Sequence, residues 1–185
     1  MNGRVGARLG IGDAVVPREL ATIHGDSVRL PDPGSLTHLQ FRRFSGCPIC
    51  NVHLRSVVQR YEEITAAGIS ELVVFHSDVQ TMRQYQAELP FAAVADPHKR
   101  LYFEFGVESS FRSILHPRSW LAFGRGVAAA RSLRGTIGRD EHLGLPADFL
   151  IDPQGRIVAR KYGAHAADQW SVDELLTLSA QRFAG

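Results

Sequence analysis

The sequence predicts an α/β fold with a central mixed β-sheet flanked by helices, and three features carry that prediction. Strand-like apolar runs alternate with runs of helical period through the middle of the chain. Two later strand-like runs meet at Asp152-Pro153-Gln154-Gly155, a hairpin turn, and a capped helical run closes the chain. Strands joined by such a turn are antiparallel, whereas strands separated by helices run parallel, so the sheet must be mixed.

Taken in order, residues 1–35 are rich in Gly, Pro and Asp. Within them ELATIHGDSVRLPDPGS reads as two short strands joined at His24-Gly25-Asp26 and followed by a Pro-Gly loop. THLQFRRF, residues 37–44, has the aromatic and β-favouring composition of a strand, and its two arginines leave its exposure open. From Pro48 the period changes. Leu54, Val57, Val58, Tyr61 and Ile64 form one helical stripe, and Gly68 terminates it. ELVVFHSD is then a compact strand, TMRQYQAEL a short helix stopped by Pro90, and FAAVADP a second buried strand. KRLYFEFGV reads as a short helical segment or turn. Residues 109–142 interrupt the rhythm as an insertion. The hairpin LPADFLIDPQGRIVARKYG follows it, and then SVDELLTLSAQRF, whose Ser171 and Glu174 have capping-box spacing.

Composition narrows the function. The chain has 185 residues, 44% of them hydrophobic and 22% charged, which suits a packed domain rather than a disordered one. A formal charge of +2 gives no case for nucleic acid. No apolar run approaches the roughly 20 residues that span a bilayer. The first residues carry basic side chains but no following apolar segment, so a cytoplasmic location is expected.

Both cysteines, Cys47 and Cys50, lie in FRRFSGCPICNVHL, between a strand and a helix. Such a pair can exchange electrons, hold a metal, or serve neither purpose. Pro48 suits a first helical turn because its missing N–H would have no partner there. Cys47 then occupies the N-cap, where free backbone N–H groups and the helix dipole favour a thiolate, so its pKa is expected below that of an ordinary thiol. Cys50, one turn on, can reach back to it. The pair reads as an attacking Cys47 and a resolving Cys50, the unit of thiol–disulfide exchange. Zinc needs four ligands in a structural site. His53 could be a third, and no fourth is apparent, so no metal or other cofactor is expected; zinc or an iron–sulfur cluster shared by two chains stays as the alternative.

CPIC after a strand, followed by LPADFLIDPQGRIV, resembles the thioredoxin-like superfamily. The chain is most similar to its peroxiredoxin-like AhpC/TSA (redoxin) branch. VVFHSDVQTMRQYQAELPFAAVADPHKRLYFEFGVESS and YGAHAADQWSVDELL match as well, so the resemblance spans about 37–110 and 143–180. GIGDAVVPREL also resembles the GDxAPxxxL opening of redoxins, with Pro17 at the matching proline.

The resemblance implies one thioredoxin-like domain over residues 1–185, with an N-terminal β extension and a helical insertion before the cis-proline strand. It places Cys47 and Cys50 as the redox centre and Pro146 as the cis-proline that binds substrate backbone. It implies reduction of disulfides or hydroperoxides, with a thioredoxin or glutathione system as dithiol reductant. One departure matters. The peroxiredoxin pattern P-x-x-x-T-x-x-C is met here by Gln40 and Phe44, Ser45 offers a hydroxyl at another spacing, and Arg43 and Arg112 are candidates for the peroxide-site arginine.

Other positions invite roles. His76 and Ser77 end a strand and could border the site, with His76 exchanging protons with Cys50. His165 and Asp168 match the family pattern without a derivable role, and Trp170 is expected to pack over the last helix. The insertion carries Arg112, Arg118, Arg125, Arg131 and Arg134 and no acidic residue from Ser110 to Gly138. Its apolar stripe is expected to pack on the domain or form a homodimer contact, the alternative being a basic surface for an acidic partner.

Overall fold

The structure, a computed structural model, describes residues 7–107 and 145–183. The predicted insertion and its arginines lie outside the described residues. Two short strands, β1 (Arg18–Ala21) and β2 (Ser27–Leu30), pair antiparallel as a separate hairpin, the N-terminal β extension that was expected.

The central sheet has five strands: β3 (Leu36–Arg42), β4 (Ile69–Phe75), β5 (Ala92–Ala95), β6 (Ala147–Ile151) and β7 (Ile157–Tyr162), in the order β5-β4-β3-β6-β7. β3, β4 and β5 run parallel, and β6 and β7 join them antiparallel. The sheet is mixed, as the closing hairpin requires. Helices α1 (Pro48–Gln59), α2 (Tyr61–Ala66), α3 (Val79–Gln86), α4 (Arg100–Glu104) and α5 (Val172–Phe183) flank it. No helix among the described residues is long and apolar enough to cross a membrane.

Local chemistry accounts for the ends. Asp78 caps α3 by accepting from the Thr81 N–H at 2.9 Å. Ser171 and Glu174 close the predicted capping box: Glu174 Oε2 accepts from the Ser171 N–H at 2.7 Å, and Ser171 Oγ from the Glu174 N–H at 3.2 Å. Asp152 Oδ1 accepts from the N–H groups of Gln154 and Arg156, and Gly155 takes the left-handed conformation that ends the turn.

One expectation changes. The helix read as continuous from Pro48 to Gly68 breaks at Arg60, whose backbone (φ −116°, ψ 21°) leaves helical geometry. Its guanidinium is held by Glu63 at 2.8 Å and Asp173 at 2.6 Å, which ties the break to the start of α5. Leu54, Val57 and Ile64 still face inward, while Val58, assigned to the same stripe, is 38% exposed.

The sheet separates two apolar layers. On one face Val73, Phe75 and Leu150 pack with both cysteines, Leu54, Val57, Met82, Trp170 and Leu175. On the other, Leu39, Phe41, Val74 and Phe149 pack with Leu101, Tyr102 and Phe105 of the α4 region. α1, α3 and α5 therefore cover the first face, and α4 covers the second. Every residue of β3 is buried. Successive side chains of a strand point to opposite faces, so Leu39 and Phe41 enter the second layer and His38, Gln40 and Arg42 the first.

Candidate active site

β3 ends at Arg42, and a short turn closed by the Cys47 N–H bonding the Phe44 carbonyl at 3.0 Å delivers Cys47 to the N-cap of α1. Pro48 follows in the first turn, as the sequence requires. The sulfur, however, makes no capping hydrogen bond to the helix. It is turned instead toward Arg43, whose Nη1 lies 4.0 Å away. A guanidinium at that distance favours a sulfur anion. Cys47 is also more enclosed than an exposed thiolate, at 1% accessibility.

Cys50 is reduced and fully buried behind it. Its hydrogen bond to Cys47, its burial and the charge on Cys47 push its thiol well above the ordinary range, against a weaker opposing pull from Arg43. The two sulfurs are thus unequal: one sits beside a cation, and the other is held protonated within reach of it.

The turn is fixed from two sides. The Ser45 N–H donates to Ser77 Oγ at 3.0 Å, at the end of β4, and Gln86 Nε2 of α3 donates to the Ser45 carbonyl and to Asn51 Oδ1, each at 2.8 Å. Tyr102 of α4 donates its hydroxyl to the carbonyls of Arg42 and Val74, the latter at 3.0 Å. Burial, then the Asp96 carboxylate and Cys50, keep that phenol well above its ordinary pKa. Gln86 and Tyr102 were not singled out from the sequence, where each reads as an ordinary member of a short helix.

Beneath α1 lies a buried polar cluster on the inner stripe of β3. His38 Nδ1 bonds Glu71 at 2.9 Å, and its Nε2 lies 3.3 Å from Asp148 Oδ1. Arg42, fully buried, donates to the same Asp148 oxygen at 2.5 Å, to Gln40 Oε1 at 2.7 Å and to His53 Nε2 at 3.2 Å. Gln40 in turn donates to Glu71, and Asp148 Oδ2 accepts from the Trp170 N–H at 3.2 Å. Trp170 packs beside α5 as expected, its ring centroid 5.8 Å from that of His38.

Burial alone would lower the pKa of His38, but Glu71 and Asp148 outweigh it and raise it to about 9. Burial would raise that of Asp148, yet Arg42 and His38 hold its carboxyl well below the usual carboxylate range. For His53 burial, then the charge of Arg42, lowers the pKa to about 3. The ring named above as a third metal ligand is thus committed to Arg42. Among the described residues no group of three His, Cys, Asp or Glu could hold a metal ion.

These shifts set a pH profile for stability. His38 holds its proton more tightly folded than unfolded, so its contribution is complete below pH 6.5 and is lost as pH rises through about 9. Asp148 contributes above the ordinary carboxylate range, and its share is lost as pH falls through and below that range. His53 resists protonation in the fold, so below pH 6.5 the unfolded chain gains the proton first and stability falls towards pH 3. Urea midpoints measured across about pH 4 to 10 should therefore peak near neutrality. His38→Gln should remove the loss between pH 6.5 and about 9; an unchanged alkaline limb would count against this assignment.

Pro146 departs from expectation. Among the described residues the cis peptide bond is Leu30–Pro31, and Leu145–Pro146 is not cis. Pro146 enters β6 as an ordinary strand-leading proline. Its carbonyl accepts from the Gly163 N–H at 2.9 Å, and a Cβ on Gly163 would stand 2.8 Å from its Cγ. That close packing against the end of β7 is met by a trans bond. Asp168, without a role in the sequence reading, pairs with Lys161 at 3.1 Å and accepts from the Ala164 N–H, fixing the same turn.

Comparison with known proteins agrees with this architecture. The profile of the AhpC/TSA family matches residues 11–160. Among solved structures, the peroxidoxin BcpB of Mycobacterium tuberculosis superposes with a TM-score of 0.67 at 15% identity, covering 92% of this chain and 96% of that one. A mutant PrxQ of Xylella fastidiosa gives 0.67 at 15% identity, covering 97% and 99%. A chain of Chlorobium tepidum assigned as the thiol:disulfide interchange protein DsbE gives 0.56 at 22% identity, covering 96% and 99%. Among curated proteins none matches the chain in sequence. The fold is that of the thioredoxin-like peroxiredoxins, and with the family profile spanning the cysteine turn, the sheet and its closing hairpin, the chain belongs to the AhpC/TSA family of thiol-dependent oxidoreductases.

Proposed function

We propose that the protein is a peroxiredoxin-like thiol peroxidase in which Cys47 is the nucleophile and Cys50 the resolving thiol. The observation that carries this reading is the inequality of the two sulfurs. Arg43 stands beside Cys47, whereas Cys50 is buried and kept as a thiol. Attack by Cys47 on a hydroperoxide forms an S–O bond as the O–O bond breaks, releasing an alcohol or water and leaving a sulfenic acid. The Cys50 thiol then condenses with it, expelling water and forming the Cys47–Cys50 disulfide. An external dithiol, of a thioredoxin or glutathione system, supplies the two electrons and two protons that restore the pair.

The enclosure of Cys47, at 1% accessibility, favours a small oxidant over a protein disulfide. The C-x-x-C spacing and the likeness to a DsbE-assigned chain support a second reading, reduction of disulfides by the same pair. Rates with hydrogen peroxide, an organic hydroperoxide and a protein disulfide, each with thioredoxin and with glutathione, decide between them. A rate with hydroperoxides no better than that of free cysteine would overturn the first reading.

Cys50→Ser is expected to leave Cys47 oxidation intact and stop the cycle at the sulfenic acid, which dimedone would label at Cys47. Dithiol-driven turnover should fall by roughly tenfold or more, because resolution passes to slower external thiols. Undiminished turnover without accumulated sulfenic acid would show that Cys50 is not the resolving thiol.

A further inference from the structure

The side chains at the C-terminal edge of the parallel strands place a third reactive group near the cysteines. Parallel pairing sets Arg42 against Phe75, so the next residues along, Arg43 and His76, stand opposite one another just beyond the ladder. Tyr102, which packs with Phe41 and Val74, lies against this edge. There Tyr102 meets His76 edge-on, with ring centroids 5.7 Å apart and planes at 78°. Arg43 reaches the Cys47 sulfur, and Ser77, adjacent to His76, holds the turn that carries it.

His76 is itself 6% exposed, and its Nε2 has no hydrogen-bond partner among the described residues. Burying such an atom unbonded is costly. Among the described residues Lys99, at the start of α4, and Arg43 act on the ring by charge, and the ring also bonds its own backbone. Burial, then Lys99, with a further push from Arg43, lowers its pKa to about 4, so the ring is neutral at physiological pH. A neutral imidazole nitrogen without a partner, near a guanidinium that itself reaches the reactive sulfur, has the properties of a proton carrier.

We infer that His76 is a catalytic residue for hydroperoxides, its Nε2 accepting the hydrogen bond of the bound hydroperoxide and passing that proton to the departing oxygen. The step balances without further reagents. The Cys47 thiolate attacks the terminal oxygen, the S–O bond forms and the O–O bond breaks. Sulfur loses two electrons and the peroxide oxygens gain them. The peroxide's own proton moves through Nε2 from the attacked oxygen to the leaving one, so a thiolate and a hydroperoxide become a sulfenate and an alcohol. The inference rests on the hydroperoxide reading above and names the group that makes the site selective for it. A disulfide, whose leaving thiolate is a weak base, has no need of the relay.

The test compares two rate constants in one protein. Oxidation of Cys47 by hydrogen peroxide and by tert-butyl hydroperoxide is measured against its reaction with dithionitrobenzoate, an aromatic disulfide. In His76→Phe, which keeps a ring against Tyr102, the ratio of hydroperoxide to disulfide rate should fall by about ten- to a hundredfold, as expected when a proton-transfer group is lost. The larger fall should appear with the alkyl hydroperoxide, whose alkoxide is the stronger base. His76→Gln, which can hydrogen-bond but cannot relay a proton, should show the same fall and carries the test if the Phe variant does not fold. An unchanged ratio in the folded variants, or an equal fall of both rates, overturns the inference. A wild-type protein that reduces disulfides but no hydroperoxide instead overturns the functional reading on which it stands.

Discussion

Replacing Cys47 by serine is expected to abolish turnover with every oxidant, a fall of at least about a thousandfold, because under the proposed mechanism the variant loses the thiolate that attacks and the sulfur that is oxidised. A serine hydroxyl beside Arg43 remains protonated and cannot pass through a sulfenic acid. Cys50 does not substitute for it. Its thiol has no exposure at all, and the Arg43 guanidinium is turned to Cys47. Once Cys47 is gone, Cys50 loses the hydrogen bond and charge that raised its pKa, but it keeps its burial. A dithiol-coupled assay with hydrogen peroxide and an insulin-reduction assay together check this. Retention of more than about a tenth of wild-type rate in either would show that Cys47 is not the nucleophile.

The second large effect concerns stability. Asp148→Ala is expected to cost about 3–5 kcal/mol, the range for breaking a buried ion pair by removing one partner. Asp148 accepts from Arg42, from His38 and from the Trp170 N–H, and its side chain is completely buried. Alanine leaves the Arg42 guanidinium in the interior with Gln40 and His53 as its remaining side-chain partners, both neutral. A paired change, Arg42→Met with Asp148→Leu, should recover a large part of the loss, since apolar side chains of similar volume often replace a buried ion pair at little cost. Urea unfolding of the wild type and these two variants decides the matter. A single-variant loss below about 1 kcal/mol would mean that water reaches the cluster. The cluster also matters to the site, because Arg42 bonds His53 one turn beyond Cys50 and so ties β3 to the helix that presents both sulfurs.

The elements were legible because their signals are local. A proline after Cys47, a Ser–Glu pair at capping-box spacing and a Pro-Gln-Gly turn each act within a few residues, and each stands where the sequence placed it. The break at Arg60 was not legible. No proline or glycine marks it, and what stabilises it includes Asp173, far along the chain. The N-cap position of Cys47 was readable from Pro48, but its hydrogen bonding was not. The sulfur turns to Arg43 rather than to the helix amides, a choice made by packing in three dimensions. Pro146 shows the opposite failure: a motif match suggested a cis bond, and the contact with Gly163 is made without one.

β3 draws the line most clearly. Its composition and alternation put His38, Gln40 and Arg42 on one side and Leu39 and Phe41 on the other, because a strand alternates its side chains whatever surrounds it. A polar stripe of that kind suits solvent as well as an interior. Its burial follows from long-range packing, which brings Glu71 from β4 and Asp148 from β6 beside it. The reason is physical: a charge enters the interior only where an opposite charge from a distant part of the chain meets it. The same holds for the cysteines. Their spacing and their place at a helix start are properties of the sequence, but the inequality on which the proposed roles rest comes from Arg43 beside Cys47 and from the hydrogen bond to Cys47 that, with burial, raises the Cys50 thiol.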